Sequence, residues 1–404
     1  MAVFPSNVTR MLRTPRAAAD VAIRLSTATM HLDPPLVALD VAAMRSNARN
    51  LVRRANGKPI RLASKSVRVR WVLDDVLATP GFAGVMSFAL REAIWLARLG
   101  VGDVLVGYPS ADRDALRELA ADARLREAIT LMVDDVAQLE LVRAATGTER
   151  PGLRVCLDVD ASLRIGSLHL GARRSPLRTP TDAVVLAAEA VRRGFRVVGV
   201  MFYEAQIAGL PDTSTAVRVM KRRSAAELAV RRGAVVDAVR SGVGALEFVN
   251  SGGTGSLEIS SADSAVTELT AGSGLYAPTL FDGYRAFTAD PAMYFALPVV
   301  RRPARGIATL FGGGYIASGP AGKSRLPRPA FPAGLTLLGG EGAGEVQTPV
   351  RGDAAERLHV GDRVWLRHAK AGELCERFDT VHLVDGSALA DSVPTYRGEG
   401  KAFG

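Results

Sequence analysis

A chain of 404 residues, 48% hydrophobic and 23% charged, is long enough for two cores and is not the composition of a disordered or low-complexity polymer. Its net charge of +10 comes from arginines spread along helix-like stretches (Arg91, Arg98, Arg192, Arg193, Arg231, Arg232) with no aromatic residues interleaved, which argues for a solvated basic exterior and against a nucleic-acid surface. No apolar run reaches the ~18 residues of a membrane span, and two cysteines, Cys156 and Cys375, exclude a disulfide framework and suit a reducing cytoplasm.

The first 34 residues form an N-terminal extension. Met1 to Thr29 carries Arg10, Arg13, Arg16 and Arg24 with few acids and lacks the apolar stretch and cleavage site of a secretion signal, so a helical extension is expected in preference to a transit peptide. A strand over Leu36–Asp40 and a helix over Val41–Ala55 lead in. Short apolar runs then alternate with amphipathic stretches. The strands are expected at Ile60–Ala63, Gly84–Ser87, Asp103–Gly107, Ile129–Val133, Leu153–Asp160, Val197–Tyr203, Leu246–Ser251 and Glu268–Gly272. Helices are expected at Trp71–Leu77, Leu90–Leu99, Arg113–Leu125, Val136–Ala145, Ala183–Arg193 and Ala216–Arg240. Eight strands separated by crossovers point to an α/β fold, a (β/α)8 barrel over residues 35–286, rather than an open doubly wound sheet. After Ala286 the runs become short and β-prone and are divided by Gly and Pro, which predicts a β-rich domain over 287–404.

Barrels present their functional groups at the C-terminal ends of the strands. Lys65 ends the first strand, Ser87 the second, Tyr203 the sixth, and Arg164 follows the fifth. The seventh runs into Ser251-Gly252-Gly253-Thr254-Gly255 and the eighth into Gly272-Ser273-Gly274, followed by Tyr276. Two glycine-rich loops on the last two strands form an expected phosphate cradle, because glycine lets successive N–H groups close on the oxygens. Thr254, Ser273 and Tyr276 add hydroxyls. A lysine across from a phosphate suggests a Schiff base, since desolvation at a barrel mouth favours the neutral, nucleophilic amine. Ser318 to Ser324 imitates the end of a P-loop, but Ala317 occupies the first glycine position and Pro320 interrupts the cradle. No Rossmann fingerprint follows a strand.

These residues resemble the fold-type III pyridoxal-phosphate enzymes, the alanine racemase-like barrels, and within them the D-threonine aldolase and D-serine dehydratase branch, including proteins labelled amino acid deaminase/aldolase. The likeness runs from about Pro35 to Val384 and rests on Leu36–Asp40 with Asn47, Ile60 to Lys65, Ser87 with Glu92-Ala93, Gly102 to Val106, Asp158 to Gly166, Ser251 to Gly255 and Glu268 to Tyr276. It implies a pyridoxal 5'-phosphate lyase acting on β-hydroxy, D-configured amino acids, by deamination or by retro-aldol cleavage, and a cytoplasmic homodimer with no nucleic-acid or membrane partner. Lys65 would hold the cofactor and act as base, Arg164 would approach its phenolic oxygen, and Tyr203 would position the ring. Ser251, Gly253, Thr254, Gly272, Ser273 and Tyr276 would hold the phosphate.

Three departures qualify the likeness. Racemases carry an arginine facing the pyridine nitrogen where this chain has Thr270, and the histidine usual near the sixth-strand tyrosine is missing from Tyr203-Glu204-Ala205-Gln206. The branch also binds a divalent metal through His-x-Cys or His-x-Asp, which here reads His368-Ala369-Lys370. His368 is the one candidate metal ligand of that motif, a protonated Lys370 is none, and Glu373 or Cys375 would have to complete an altered site. Otherwise the ammonium of Lys370 stands where the metal charge sits in relatives. The rival readings are a racemase, with Tyr315 as a second base, and a non-catalytic cofactor-binding protein.

Overall fold

A computed structural model of the chain describes residues 15–147 and 152–403. Eight parallel strands close into a barrel: Ile60–Ala63, Phe82–Ser87, Val104–Val106, Ile129–Val133, Arg154–Val159, Arg196–Phe202, Phe248–Ser251 and Glu268–Ala271. Each matches its predicted run closely. Strands covered on both faces must be apolar nearly throughout, and Ile129–Val133 and Val104–Val106 are buried along their whole length. The stretch expected as one helix over 113–125 is two, Arg113–Ala121 and Ala123–Ala128. Asp122 leaves the helical conformation between them and caps the second through the N–H groups of Arg124 and Leu125.

Closure is direct: Leu269, Thr270 and Ala271 of the last strand pair with Ile60, Arg61 and Leu62 of the first. The chain leaves the barrel after the eighth strand, so no helix follows it there. Its place is taken by the helix Val41–Arg54 from ahead of the first strand. Asn47 donates to the carbonyls of Leu275 and Asp290 at 3.0 and 2.7 Å, and Arg54 binds Glu258 and the Thr254 carbonyl.

The barrel interior has an apolar layer of Leu105, Met132, Cys156, Met201 and Phe248. Beneath it lies a polar relay. Arg61, only 1% exposed, binds Glu268 at 2.7 Å and Asp103 at 2.8 Å. Glu268 also accepts from Asn250 at 2.7 Å, and Asn250 in turn accepts from Thr270 at 3.0 Å. Burial works against the Arg61 charge, but the two carboxylates outweigh it and raise its pKa.

The second sheet has nine strands, most of them after residue 292. The lead-in strand Leu36–Asp40 belongs to it, although it falls in the segment expected to be barrel. It pairs antiparallel with Met293–Ala304 and parallel with Thr380–Asp385. The reason is its two-sided burial: Val37 and Leu39 face the main core, while Leu36 and Ala38 face Leu25 and Ala28 of the helix Pro15–Ala28. That helix is docked. Trp365 donates to the Ser26 hydroxyl at 2.9 Å, and Arg363 caps the carbonyls of Thr29, Met30 and Leu32. Arg10 and Arg13 lie outside the described residues. The C-terminal segment returns to the barrel, where Tyr396 donates to Glu92 at 2.9 Å and packs with Trp95 and Phe403.

Removing one partner from a buried charge cluster leaves the others uncompensated, which costs about 3–5 kcal/mol. Arg61→Ala is expected to destabilise the protein by that order, read as a fall in the urea midpoint. A midpoint equal to that of the parent would contradict the relay's structural role.

Candidate functional site

The first strand ends in a single 3-10 turn, Ser64–Ser66, anchored by the Ser64 hydroxyl donating to the Met86 carbonyl at 3.0 Å. The turn points Lys65 into the barrel mouth, where its side chain is exposed. A loop of the β-rich part lies directly on it: Gly372 sits at φ +87°, and any side chain there would overlap the Lys65 carbonyl.

Two tyrosines and an arginine complete this side of the mouth. Lys65 Nζ is hydrogen-bonded to the Tyr108 hydroxyl. Arg174 spans the two rings, 5.6 Å from the centre of Tyr108 and 5.7 Å from that of Tyr203. It forms no ion pair or hydrogen bond of its own to a carboxylate among the described residues. Burial alone would raise the Tyr108 pKa, but the charges of Lys65 and Arg174 pull it below its ordinary value. Tyr203 is pushed up by burial, against the charge of Lys65.

Across the mouth are the glycine loops. Their frame is Glu204, fully buried at the end of the sixth strand. It accepts from the hydroxyls of Ser251 at 2.9 Å, Ser256 at 2.7 Å and Ser260, and from the Gly252 N–H at 3.3 Å. Arg232, 3.8 Å away, balances its charge and donates to Ser251. Gly253 N–H is taken by Ser256, and Gly274 N–H by Thr254 Oγ1. The N–H groups of Thr254, Gly255, Gly272 and Ser273 donate to no acceptor of the protein, and of these residues only Ser273 is not buried. Buried amides without partners are uncommon; three in two adjoining loops, with that of Ser273 beside them, fit an anion. A Cβ on Gly272 would stand 2.6 Å from the Ala63 carbonyl, so glycine is what lets this loop abut the strand that carries Lys65.

The structure therefore brings together Lys65, Tyr203, Gly253, Thr254, Gly272 and Ser273, but not every residue expected there. Arg164 lies on the hairpin formed by Leu163–Ile165 and Leu168–Leu170, pairs with Asp160 at 2.7 Å, and leaves its side chain 44% exposed; Arg174, ten residues on, is the arginine that reaches the mouth. Ser251 lies beneath its loop, engaged with Glu204 and Arg232. Tyr276 is fully buried and its hydroxyl donates to the Val67 carbonyl at 3.0 Å, so that hydroxyl is turned away from the loop. Tyr315 packs between Phe295 and Phe378.

The residues at the expected metal position do not fit a metal. His368 is buried, and burial, then the Arg367 charge, lowers its pKa to about 3, against a contact with the Met293 backbone. Glu373 is held by Ser318, and Cys375 is buried in the core. Among the described residues no three His, Cys, Asp or Glu side chains converge. Lys370 is half-buried, without an ion pair or hydrogen bond. Burial, then the charge of Arg325, lowers its pKa; Glu373 opposes this and Lys65 adds to it.

Sequence reading also missed Asp134 and Asp158, at the ends of the fourth and fifth strands. Strand-end position was the signal that would have found them. Burial, then the charge of Asp134, raises the Asp158 pKa to about 7, with Arg174 opposing.

Residues 39–278, more than half the chain, match the family model of the alanine racemase N-terminal domain. The chain belongs to this family. It is 27% identical over 248 residues to a 3-hydroxy-D-aspartate aldolase of Paracoccus denitrificans (strain Pd 1222), spanning 60% of that relative's length. Its fold is similar to that of D-threonine aldolase from Filomicrobium marinum, with a TM-score of 0.76, 22% identity and coverage of 91% of this chain and 96% of the other. It is also similar to D-threo-3-hydroxyaspartate dehydratase from Delftia sp. HT23, with a TM-score of 0.72, 20% identity and coverage of 91% and 98%. The racemase-type barrel, with a β-rich part beside it, is thus the architecture of this chain too.

Two outcomes follow from the geometry. Glu204→Ala removes the frame of the strand-seven loop; losing charged hydrogen bonds of about 1.5–3 kcal/mol is expected to weaken phosphate-ester binding about 10- to 100-fold, measured by equilibrium dialysis, and unchanged affinity would contradict the cradle. The second concerns Asp158, which titrates near ~4 in an unfolded chain. From there up to about 7 the folded state holds the extra proton, so stability falls as pH rises through that window. Asp158→Asn, fixed in the neutral form, is expected to gain Tm over the parent across this window and to keep a constant lead above it. A lead that does not change with pH would contradict the raised pKa of this carboxylate.

Proposed function

We propose that the chain binds pyridoxal 5'-phosphate through Lys65 and is a lyase for β-hydroxy amino acids of D configuration. The observation that carries this reading is the opposition, across one barrel mouth, of a lysine at the end of the first strand and four unpartnered backbone N–H groups in the loops of the seventh and eighth. The relatives support the substrate class: their names are those of enzymes acting on D-threonine, 3-hydroxy-D-aspartate and D-threo-3-hydroxyaspartate.

When bound, the cofactor supplies an electron sink for charge developing at the substrate's α-carbon. The protein supplies the rest. The amides of Thr254, Gly255, Gly272 and Ser273, with the Thr254 and Ser273 hydroxyls, hold the phosphate. Tyr203, wedged between Arg174 and Gly253, sets the plane of the ring. Tyr108, hydrogen-bonded to Nζ and acidified by two cations, takes up or returns the proton that Lys65 exchanges with the α-carbon. Arg174, which stands over both tyrosine rings and forms no ion pair of its own among the described residues, receives the substrate's α-carboxylate. The Gly372 loop rests on the Lys65 carbonyl and fixes the turn that carries the side chain. A racemase reading gains no support here, since Thr270 is committed to Asn250 and Tyr315 to two phenylalanines. A homodimer and a cytoplasmic location belong to the proposal; the two buried, unpaired cysteines suit a reducing compartment.

Purified protein supplied with the cofactor is expected to turn yellow and, after borohydride reduction and digestion, to carry the adduct on the peptide containing Lys65. Lys65→Ala is expected to lose both the adduct and turnover of D-serine and D-threonine. An adduct on another lysine, or none, would overturn the reading.

A further inference from the structure

The loop that closes on Lys65 brings cations to the mouth and no metal ligands. Lys370 stands two residues from Gly372, whose backbone rests on the Lys65 carbonyl; it makes no ion pair or hydrogen bond among the described residues, and Glu373 acts on it only through space. Arg325, the neighbouring cation, has no carboxylate partner either, and its buried Nε is unpaired. The acidic and sulfur groups nearby are engaged elsewhere: Glu373 by the backbone and hydroxyl of Ser318, Cys375 by the core. A divalent cation would meet repulsion here, whereas an oxygen of the substrate would meet a hydrogen-bond donor.

We propose that Lys370 is a catalytic residue that binds the β-oxygen of the substrate in place of a metal ion, and that it directs the enzyme to C–O rather than C–C cleavage. This rests on the function proposed above. The direction follows from the chemistry of the group. Retro-aldol cleavage requires a base to remove the β-hydroxyl proton, which Lys370 cannot be while it is protonated, since an ammonium has three donors and no lone pair. Dehydration requires an acid at the same oxygen. Lys65 takes the α-proton. As the Cβ–O bond breaks, its electron pair goes to oxygen, the Lys370 proton follows, and water leaves. The proton held by Lys65 returns to the Lys370 amine through solvent, and the enamine product hydrolyses to a 2-oxo acid and ammonia.

The holoenzyme tests this directly. Metal analysis is expected to find no stoichiometric divalent ion, and EDTA to leave the rate unchanged. D-Threonine is expected to give 2-oxobutanoate and ammonia. Lys370→Gln is expected to lower kcat for D-serine about 100-fold, the scale of a lost general acid. Its affinity for D-alanine, which has no β-oxygen and is read from cofactor absorbance, is expected to stay at the parent value. Lys370→Arg, which keeps the charge and the donors but gives up no proton, is expected to leave kcat low. Stoichiometric zinc or manganese whose removal abolishes activity, glycine and acetaldehyde as the products, or a Lys370→Gln variant with parental kcat would each overturn the inference. A preparation that carries the Lys65 adduct yet needs metal would do so while leaving the reading of the cofactor site intact. Should Lys370→Gln fail to fold, the metal analysis and the product identity on the parent enzyme still decide.

Discussion

The site depends on how the barrel closes. Pairing of the last strand with the first sets the Gly272 loop against the end of the strand that carries Lys65, so closely that the Ala63 carbonyl leaves no room for a side chain. Residues more than 200 positions apart in sequence thereby become neighbours, and the amine and the anion cradle face each other across one mouth. An open sheet would leave these two strands at opposite edges.

Two buried polar systems hold that closure. Arg61, Glu268, Asp103, Asn250 and Thr270 tie the first, seventh and eighth strands and the start of the third together on the inside. Glu204 ties the sixth strand to the loop of the seventh from below. Each concentrates charge where water is absent, and each is satisfied by several partners, the condition under which buried charge is tolerated. The mouth above them differs: Lys65, Arg174, Lys370 and Arg325 form no ion pair among the described residues, and Asp158, whose charge Arg174 feels, has its pKa raised. A fold that pairs its buried charges below and leaves four cations without ion pairs above is arranged to receive an anionic ligand.

Much of this was legible in the sequence. Parallel strands buried on both faces produce continuous apolar runs, so all eight could be placed, and Lys65 and the two glycine loops followed from their positions at strand ends. What was not legible depends on tertiary contact. Leu36–Asp40 is apolar on both faces whichever sheet it joins, so sequence alone did not assign it to the β-rich one. Tyr276 shows a hydroxyl next to a glycine loop in sequence, while in space its ring turns inward to Val67. Arg164 and Arg174 occupy the same stretch, and only the hairpin between them decides which enters the mouth. Glu204 drew notice because a histidine was expected nearby, yet its role as a buried acceptor for three serines comes from residues some fifty positions downstream.

The central claim is that Lys65 and the paired glycine loops hold the two ends of one molecule. A crystal structure of the protein grown with pyridoxal 5'-phosphate tests it most directly. The account requires continuous density from Lys65 Nζ to a phosphate seated on the amides of Thr254, Gly255, Gly272 and Ser273. Phosphate density elsewhere, or loops whose amides turn to acceptors of the protein instead, would contradict it.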